Sequence, residues 1–229
     1  METGSCVPEP TVPDYESYDY TGEWVNREIE DKAEKELLRA LLPDGGELLE
    51  LGGGFGRLTE ALTARFSLVA MVDASAQNTR RAHARVPEAE IVRAELAHLP
   101  FRERTFDCVA MVRVVHHLPR PYLVFDEIRR VTRRPAVAVV SVPNPYTAGI
   151  RHSGNALVGV GPQGHFVYGA PLDYYTNYLP LKEIRGVGLF DNAVGKILRR
   201  LTFLHLLDLG TSRFWRVKKN LFLKFELNG

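Results

Sequence analysis

Apolar residues recur at helical spacing from Lys32 to Leu42, where Ala33, Leu37, Leu38 and Leu41 share one face, and Pro43 with Gly45 and Gly46 ends the segment. The spacing predicts an amphipathic helix followed by a turn. The next apolar runs have strand length instead: Glu47–Leu51, Leu68–Val72, Glu90–Arg93, Asp107–Val112 and Ala136–Val142. Between them Arg57–Phe66, Ser75–Arg85 and Pro121–Val131 return to a helical period, with Ser75 placed to cap its helix and Pro121 to open its own. Strands alternating with helices predict an α/β fold with a parallel sheet. ELLEL, LVAMV and AVAVVSV are continuous apolar runs, as strands covered on both faces should be. The closing LFLKFEL, Leu221–Leu227, alternates and suits an antiparallel strand near the sheet edge.

Length and composition narrow the class. A chain of 229 residues holds one sizeable core, and its 45% hydrophobic and 25% charged content is that of an ordinary globular protein. The expected division is a flexible leader and lid over 1–25 and one domain over 26–229, with 145–180 as a cap region. The 29 basic residues nearly balance the 28 acidic ones, so nucleic acid is not an expected partner. Cys6 and Cys108 have neither metal nor disulfide spacing, and no apolar window is long enough to span a membrane, so a cytoplasmic location is expected. Residues 194–209, with Lys196, Arg199 and Arg200 among leucines, and the later RFWRVKKNLFLKF read either as core with a solvated basic edge or as a lipid-facing or dimer-forming surface. No cluster has metal spacing and no nucleophile elbow appears, so no metal and no hydrolytic chemistry is expected.

The strongest chemical signal is the turn after the first strand, Glu50-Leu51-Gly52-Gly53-Gly54-Phe55-Gly56, running into a helix. Glycines in that context let backbone approach a ligand and aim amides at its polar end. A dinucleotide fingerprint would place its third glycine where Arg57 stands, which weakens a nicotinamide reading. Asp73 closes the second strand 17 residues beyond Gly56. It is expected to face the cleft unpacked, leaving the capping to Ser75.

Glu50-x-Gly52-x-Gly54-x-Gly56 resembles the first motif of the class I S-adenosylmethionine-dependent methyltransferases, and the resemblance continues to Asn144. Glu95-Leu96-Ala97-His98-Leu99-Pro100-Phe101, then Phe106-Asp107, is similar to the family's segment leading into strand four, and Met111-Val112-Arg113-Val114-Val115-His116-His117-Leu118-Pro119 to its segment after that strand. Glu127, Arg130 and Val131 match the next helix, and Ser141-Val142-Pro143-Asn144 the end of strand five. Arg133, Arg134 and Pro135 depart from the usual Pro-Gly turn.

The resemblance implies a single Rossmann-like, doubly wound sheet of seven strands, mostly parallel with an antiparallel last strand, and S-adenosyl-L-methionine as cofactor. It implies that Glu50 shapes the loop and meets the methionine amino group, and that Gly52, Gly54 and Gly56 admit that moiety. Asp73, with Ala74 beside it, would hold the ribose, and Glu95 and Leu96 the adenine. Arg113 would lie beside the cofactor, or form a salt bridge to Glu95 or Asp107. His116 is the candidate general base, with one of the adjacent His116 and His117 expected to be structural. His117, Tyr146 and His165 are the candidate acceptor-binding residues, with His152, Tyr168, Tyr174 and Tyr175 in the same cap region; Tyr15, Tyr18, Tyr20 and Trp24 are candidate lid residues. The acceptor would be a small molecule offering an O, N or C nucleophile. Aminopropyl transfer on the same fold is the rival enzyme, though Asp173 is the cap's only acidic residue, and a non-catalytic cofactor-binding or partner module is the rival outside enzymology.

Overall fold

The computed structural model describes residues 20–25, 27–150, 153–160, 166–188 and 204–228. Residues 1–19 of the predicted leader over 1–25, His152, His165 and most of 194–209 lie outside the described residues.

Among the described residues nine strands form: β1 Glu47–Leu51, β2 Leu68–Asp73, β3 Glu90–Arg93, β4 Phe106–Met111, β5 Thr132–Pro143, β6 Ala156–Val160, β7 Phe166–Gly169, β8 Leu181–Val187 and β9 Asn220–Leu227. Seven of them make one sheet in the order β3-β2-β1-β4-β5-β9-β8, while β6 and β7 pair as a separate hairpin. β1 to β5 are mutually parallel, and β9 is antiparallel to both its neighbours, β5 and β8. The last strand therefore sits one place inside the edge. That position explains why Leu221, Phe222, Leu223 and Phe225 are all buried despite the alternation.

The helices are α1 Glu28–Leu41, α2 Thr59–Leu62, α3 Ala76–Arg85, α4 Pro121–Val131, α5 Pro145–Ala148, α6 Leu172–Thr176 and α7 Leu204–Gly210. Ser75 caps α3 by accepting from the Asn78 amide at 3.1 Å, and Pro121 opens α4. One core packs Ala33, Leu37, Leu38 and Leu41 of α1 with Leu58 and Leu62 against Leu48, Cys108 and Ala110 of the sheet. The opposite core packs Val124, Phe125 and Ile128 of α4 with Tyr175 of α6 against Leu49, Leu51, Val109 and Met111. Period two along β1 thus puts Leu48 and Glu50 on the α1 face and Leu49 and Leu51 on the other. Cys108, buried within β4, has its thiol pushed up to about 12 by desolvation and the nearby Asp107 charge, so it stays protonated.

Arg133, Arg134 and Pro135 form no separate turn. β5 begins at Thr132, directly after α4, and the register against β4 jumps from Phe106↔Thr132 to Cys108↔Val137.

Candidate active site

Loops leaving the carboxyl ends of β1, β2, β3 and β4 surround a cavity of about 340 Å³. A crevice there is what a doubly wound sheet provides where strand order reverses, here between β1 and β4. Its wall includes Glu50, Gly52, Gly54, Asp73, Ala74, Glu95, Leu96, Arg113, His116 and His117. Gly56 and Tyr146 are not among the lining residues. A side chain at Gly56 would meet Ala82 and Val86, so this glycine serves the packing of the loop on α3 and not the cavity. Tyr146 is 62% exposed, with its ring 5.7 Å from that of Trp215, because the Asn144 cap of α5 turns it outward.

The glycine loop is built around three positive φ angles, at Gly52, Gly54 and Gly56. Gly52 has φ 68°, and a Cβ there would lie 2.3 Å from the Val114 side chain. Gly54 has φ 59° with open space where its side chain would be, so its backbone is bared to the cavity. The Gly54 amide is held at 2.9 Å by one oxygen of Asp73, whose other oxygen accepts from the Ser75 amide at 3.0 Å. Asp73 is only 9% exposed. The expectation of an unpacked carboxylate is thereby corrected: Asp73 couples the glycine loop to the start of α3 and also reaches the cavity wall. Beside it, Asn78 is buried in the same wall and its side-chain carbonyl oxygen has no hydrogen-bond partner. That leaves an acceptor next to a carboxylate, a pairing suited to a ligand with adjacent hydroxyl donors.

Glu50 lies under the loop, fully buried, accepting from Thr59 Oγ1 at 2.6 Å. Burial raises its carboxyl to about 7, with the Asp73 charge adding to the rise and the Thr59 bond and Arg57 opposing it. A carboxyl with a folded pKa above its unfolded value contributes stability that is complete below about pH 4.5 and lost as pH rises through about 7. Glu50→Gln should therefore flatten the pH dependence of the melting temperature across that window. Above it the variant should be the more stable protein, by on the order of 2 kcal/mol. Parallel melting curves for the two proteins from acid to alkaline buffer would show that Glu50 ionises normally.

Arg113 has neither of its expected partners. Its guanidinium bonds Glu34 at 2.8 Å and also Glu30, both on α1. Glu34 holds Arg57 as well, at 2.7 Å, and Arg57 reaches Asp31 at 2.6 Å. The two acidic neighbours raise the Arg113 pKa further, against desolvation, which would lower it. Glu30 is held below the usual carboxylate range: desolvation would raise it, but Arg113 and then Lys219 win. Arg57, which counted only against a dinucleotide, thus ties the end of the glycine loop to α1. The Trp24 ring lies 3.4 Å beneath the Arg57 guanidinium and 5.1 Å from that of Arg113, at the cavity wall. Of the four expected lid residues, Tyr15 and Tyr18 are outside the described residues, as is the Tyr20 side chain; Trp24 is in place.

His116 and His117 both line the cavity. They occupy a short 3-10 turn, Val115–His117, in which Val115 takes the buried position, and the two rings lie 4.1 Å apart. Sequence reasoning missed Asn78, Arg120 and Leu123 in the wall. Asn78 lies one turn into α3 from its cap, and Leu123 in the first turn of α4, so both follow from helix geometry once the helix starts are known. Among the described residues no group of His, Cys, Asp and Glu side chains could hold a metal ion.

Residues 49–140 match the family described as methyltransferase domain. An uncharacterized methyltransferase of Mycobacterium sp. (strain KMS) is 30% identical over 135 residues, covering 58% of this chain and 51% of that protein. A probable S-adenosylmethionine-dependent methyltransferase of Mycobacterium tuberculosis (strain ATCC 25618 / H37Rv) is 28% identical over 141 residues, 61% of this chain and 48% of its own length. The chain thus spans about half the length of the curated relatives it matches. A Thermotoga maritima SAM-dependent methyltransferase, a possible histamine N-methyltransferase, superposes with TM-score 0.67 at 12% identity, over 91% of this chain and 94% of that one.

Proposed function

We propose that this chain transfers a methyl group from S-adenosylmethionine to an O, N or C nucleophile of a small molecule; the match of residues 49–140 to the methyltransferase domain family and the fold shared with a SAM-dependent methyltransferase support the reading. The observation that carries the reading is the wall formed by Gly52, Gly54, Asp73 and Asn78, where bared loop backbone adjoins two acceptors.

In this proposal the ribose hydroxyls donate to Asp73 and Asn78, while Glu95 and Leu96 flank the adenine and the loop at Gly52 and Gly54 admits the methionine moiety. When bound, the cofactor supplies a methyl group on a sulfonium sulfur, which passes to the acceptor's nucleophilic atom as the old bond breaks and the sulfur becomes a neutral thioether. A free cation beside a sulfonium would oppose binding. Arg113 avoids that because Glu30 and Glu34 offset its charge. Trp24, stacked on Arg57, closes one side of the cavity against water. His116 takes the proton that the acceptor loses, and His117 shapes the acceptor side.

The test is mass-spectrometric detection of methyl transfer from isotopically labelled cofactor to a panel of small alcohols, phenols, amines and carbon acids. His116→Ala should retain cofactor binding and lose roughly a hundredfold in turnover on the acceptor so found. Full turnover in the variant from about pH 6 to about pH 9 would show that positioning alone suffices. Labelled aminopropyl product in place of methyl product would favour the rival enzyme.

A further inference from the structure

The cavity opens at a sheet edge that carries an apolar and cationic face. β5 ends at Pro143 opposite Asn220, the first residue of β9, so α5 and the segment 213–219 emerge together at the carboxyl edge of the parallel strands. The Asn144 side-chain amide binds them by donating to the carbonyls of Trp215, Arg216 and Lys218. The β6–β7 hairpin is held at the same carboxyl edge through the histidine turn, with the Asn155 amide donating to the carbonyls of Leu118 and Pro119. On these three segments Phe214 is 71% exposed, Val217 64% and Val160 60%, and Leu157, Val158 and Tyr146 are exposed as well. Soluble surfaces rarely gather so many large apolar side chains without a partner.

Charge points to what that partner is. Neither residues 128–172 nor residues 209–225 contain a single Asp or Glu, although the whole chain is nearly neutral. Arg213, Arg216 and Lys219 are exposed within the apolar patch, and the Arg216 guanidinium lies within 6.0 Å of the Tyr146 and Trp215 ring centroids. We infer that this face docks on a lipid surface bearing anionic headgroups. Aromatic rings and aliphatic side chains enter the headgroup boundary, while Arg213, Arg216 and Lys219 meet the lipid charge. A second copy of the chain fits less well, because a two-fold contact would set these cationic segments against themselves. Single-stranded RNA would use the rings and cations but leave Leu157, Val158, Val160 and Val217 uncovered. Docking would present the cavity, on the same edge, towards the lipid.

The test is flotation of the purified chain with phosphatidylcholine vesicles, with and without added phosphatidylglycerol. The parent should float with the anionic vesicles, less so with the neutral ones, and binding should weaken with salt. The double substitution Phe214→Glu, Val217→Glu changes two exposed side chains, so the melting temperature and its rise with S-adenosylhomocysteine should be kept. Its vesicle binding should fall by about tenfold or more. The inference is overturned if the parent does not bind anionic vesicles or the double variant binds them equally. It is also overturned if light scattering shows a dimer, or electrophoresis an RNA complex, that the double substitution abolishes. Vesicle binding is scored without methyl transfer, so its failure is separable from failure of the proposed activity.

Discussion

Glu34→Ala should be among the most damaging single substitutions in this protein, although the residue lies far in sequence from the glycine loop. Its side chain is fully buried on α1 and accepts from Arg57 at 2.7 Å and from Arg113 at 2.7 Å. Arg57 follows the glycine loop and Arg113 follows β4, so one carboxylate joins α1 to both walls of the cavity. Removing it leaves Arg57 with Asp31 and Arg113 with Glu30, two guanidiniums facing a void with no charge between them. Breaking a buried ion pair by deleting one partner costs about 3 to 5 kcal/mol, because the surviving charge stays desolvated. For a chain of this size each kcal/mol moves the midpoint by about 2 to 4 °C, so a fall of roughly 6 to 20 °C is expected. Glu34→Gln keeps the volume and one acceptor and should lose less. Differential scanning calorimetry decides: a fall of under about 2 °C for the Ala variant would mean that the network is solvated in solution and carries no such energy.

Asp73→Ala should weaken cofactor binding and also destabilise the ligand-free protein. Bonds from hydroxyls to a charged acceptor contribute about 1.5 to 3 kcal/mol each, so losing them should cut affinity by roughly tenfold to several hundredfold after water partly replaces them. The second effect follows from the bonds to the Gly54 and Ser75 amides. Two backbone donors deprived of their acceptor in a site that is 9% exposed cost about 1 to 3 kcal/mol, or a midpoint lower by roughly 2 to 12 °C. The two effects separate by experiment. A lower melting temperature with unchanged affinity would make Asp73 a loop staple only, and an unchanged melting temperature with weaker affinity would make it a ribose ligand only.

β1, β2, β4 and most of β5 were legible in the sequence because each carries a buried apolar run, and the α1, α3 and α4 faces because their spacing follows 3.6; β3, with Ile91 and Val92 only half-buried, showed as a short apolar pair between polar residues. The β6–β7 hairpin was not legible. Four of the five residues of β6 are exposed, so neither alternation nor a buried run marks the strand. β8 reads LKEIRGV, a sheet-edge strand exposed at its start and buried only at Gly186 and Val187, which leaves it no apolar signature. At the site, residues adjacent to strand ends could be placed because the turn chemistry is local. Arg113 could not be paired correctly, since Glu30 and Glu34 lie 83 and 79 residues away and only the docking of α1 brings them near. The same docking gives Arg57 its role. Tyr146 was misplaced because an aromatic in a loop carries no directional signal; the Asn144 cap supplies the direction.

The central claim is that the cavity beside Gly54, Asp73 and Asn78 takes S-adenosylmethionine. Isothermal titration of the purified chain with S-adenosylmethionine, S-adenosylhomocysteine and NAD tests it directly. The account predicts one-to-one binding of the first two, weakened in Asp73→Ala, and no comparable binding of NAD, for which Arg57 stands in place of the third glycine. Binding of NAD with none of either sulfur-containing ligand would contradict it.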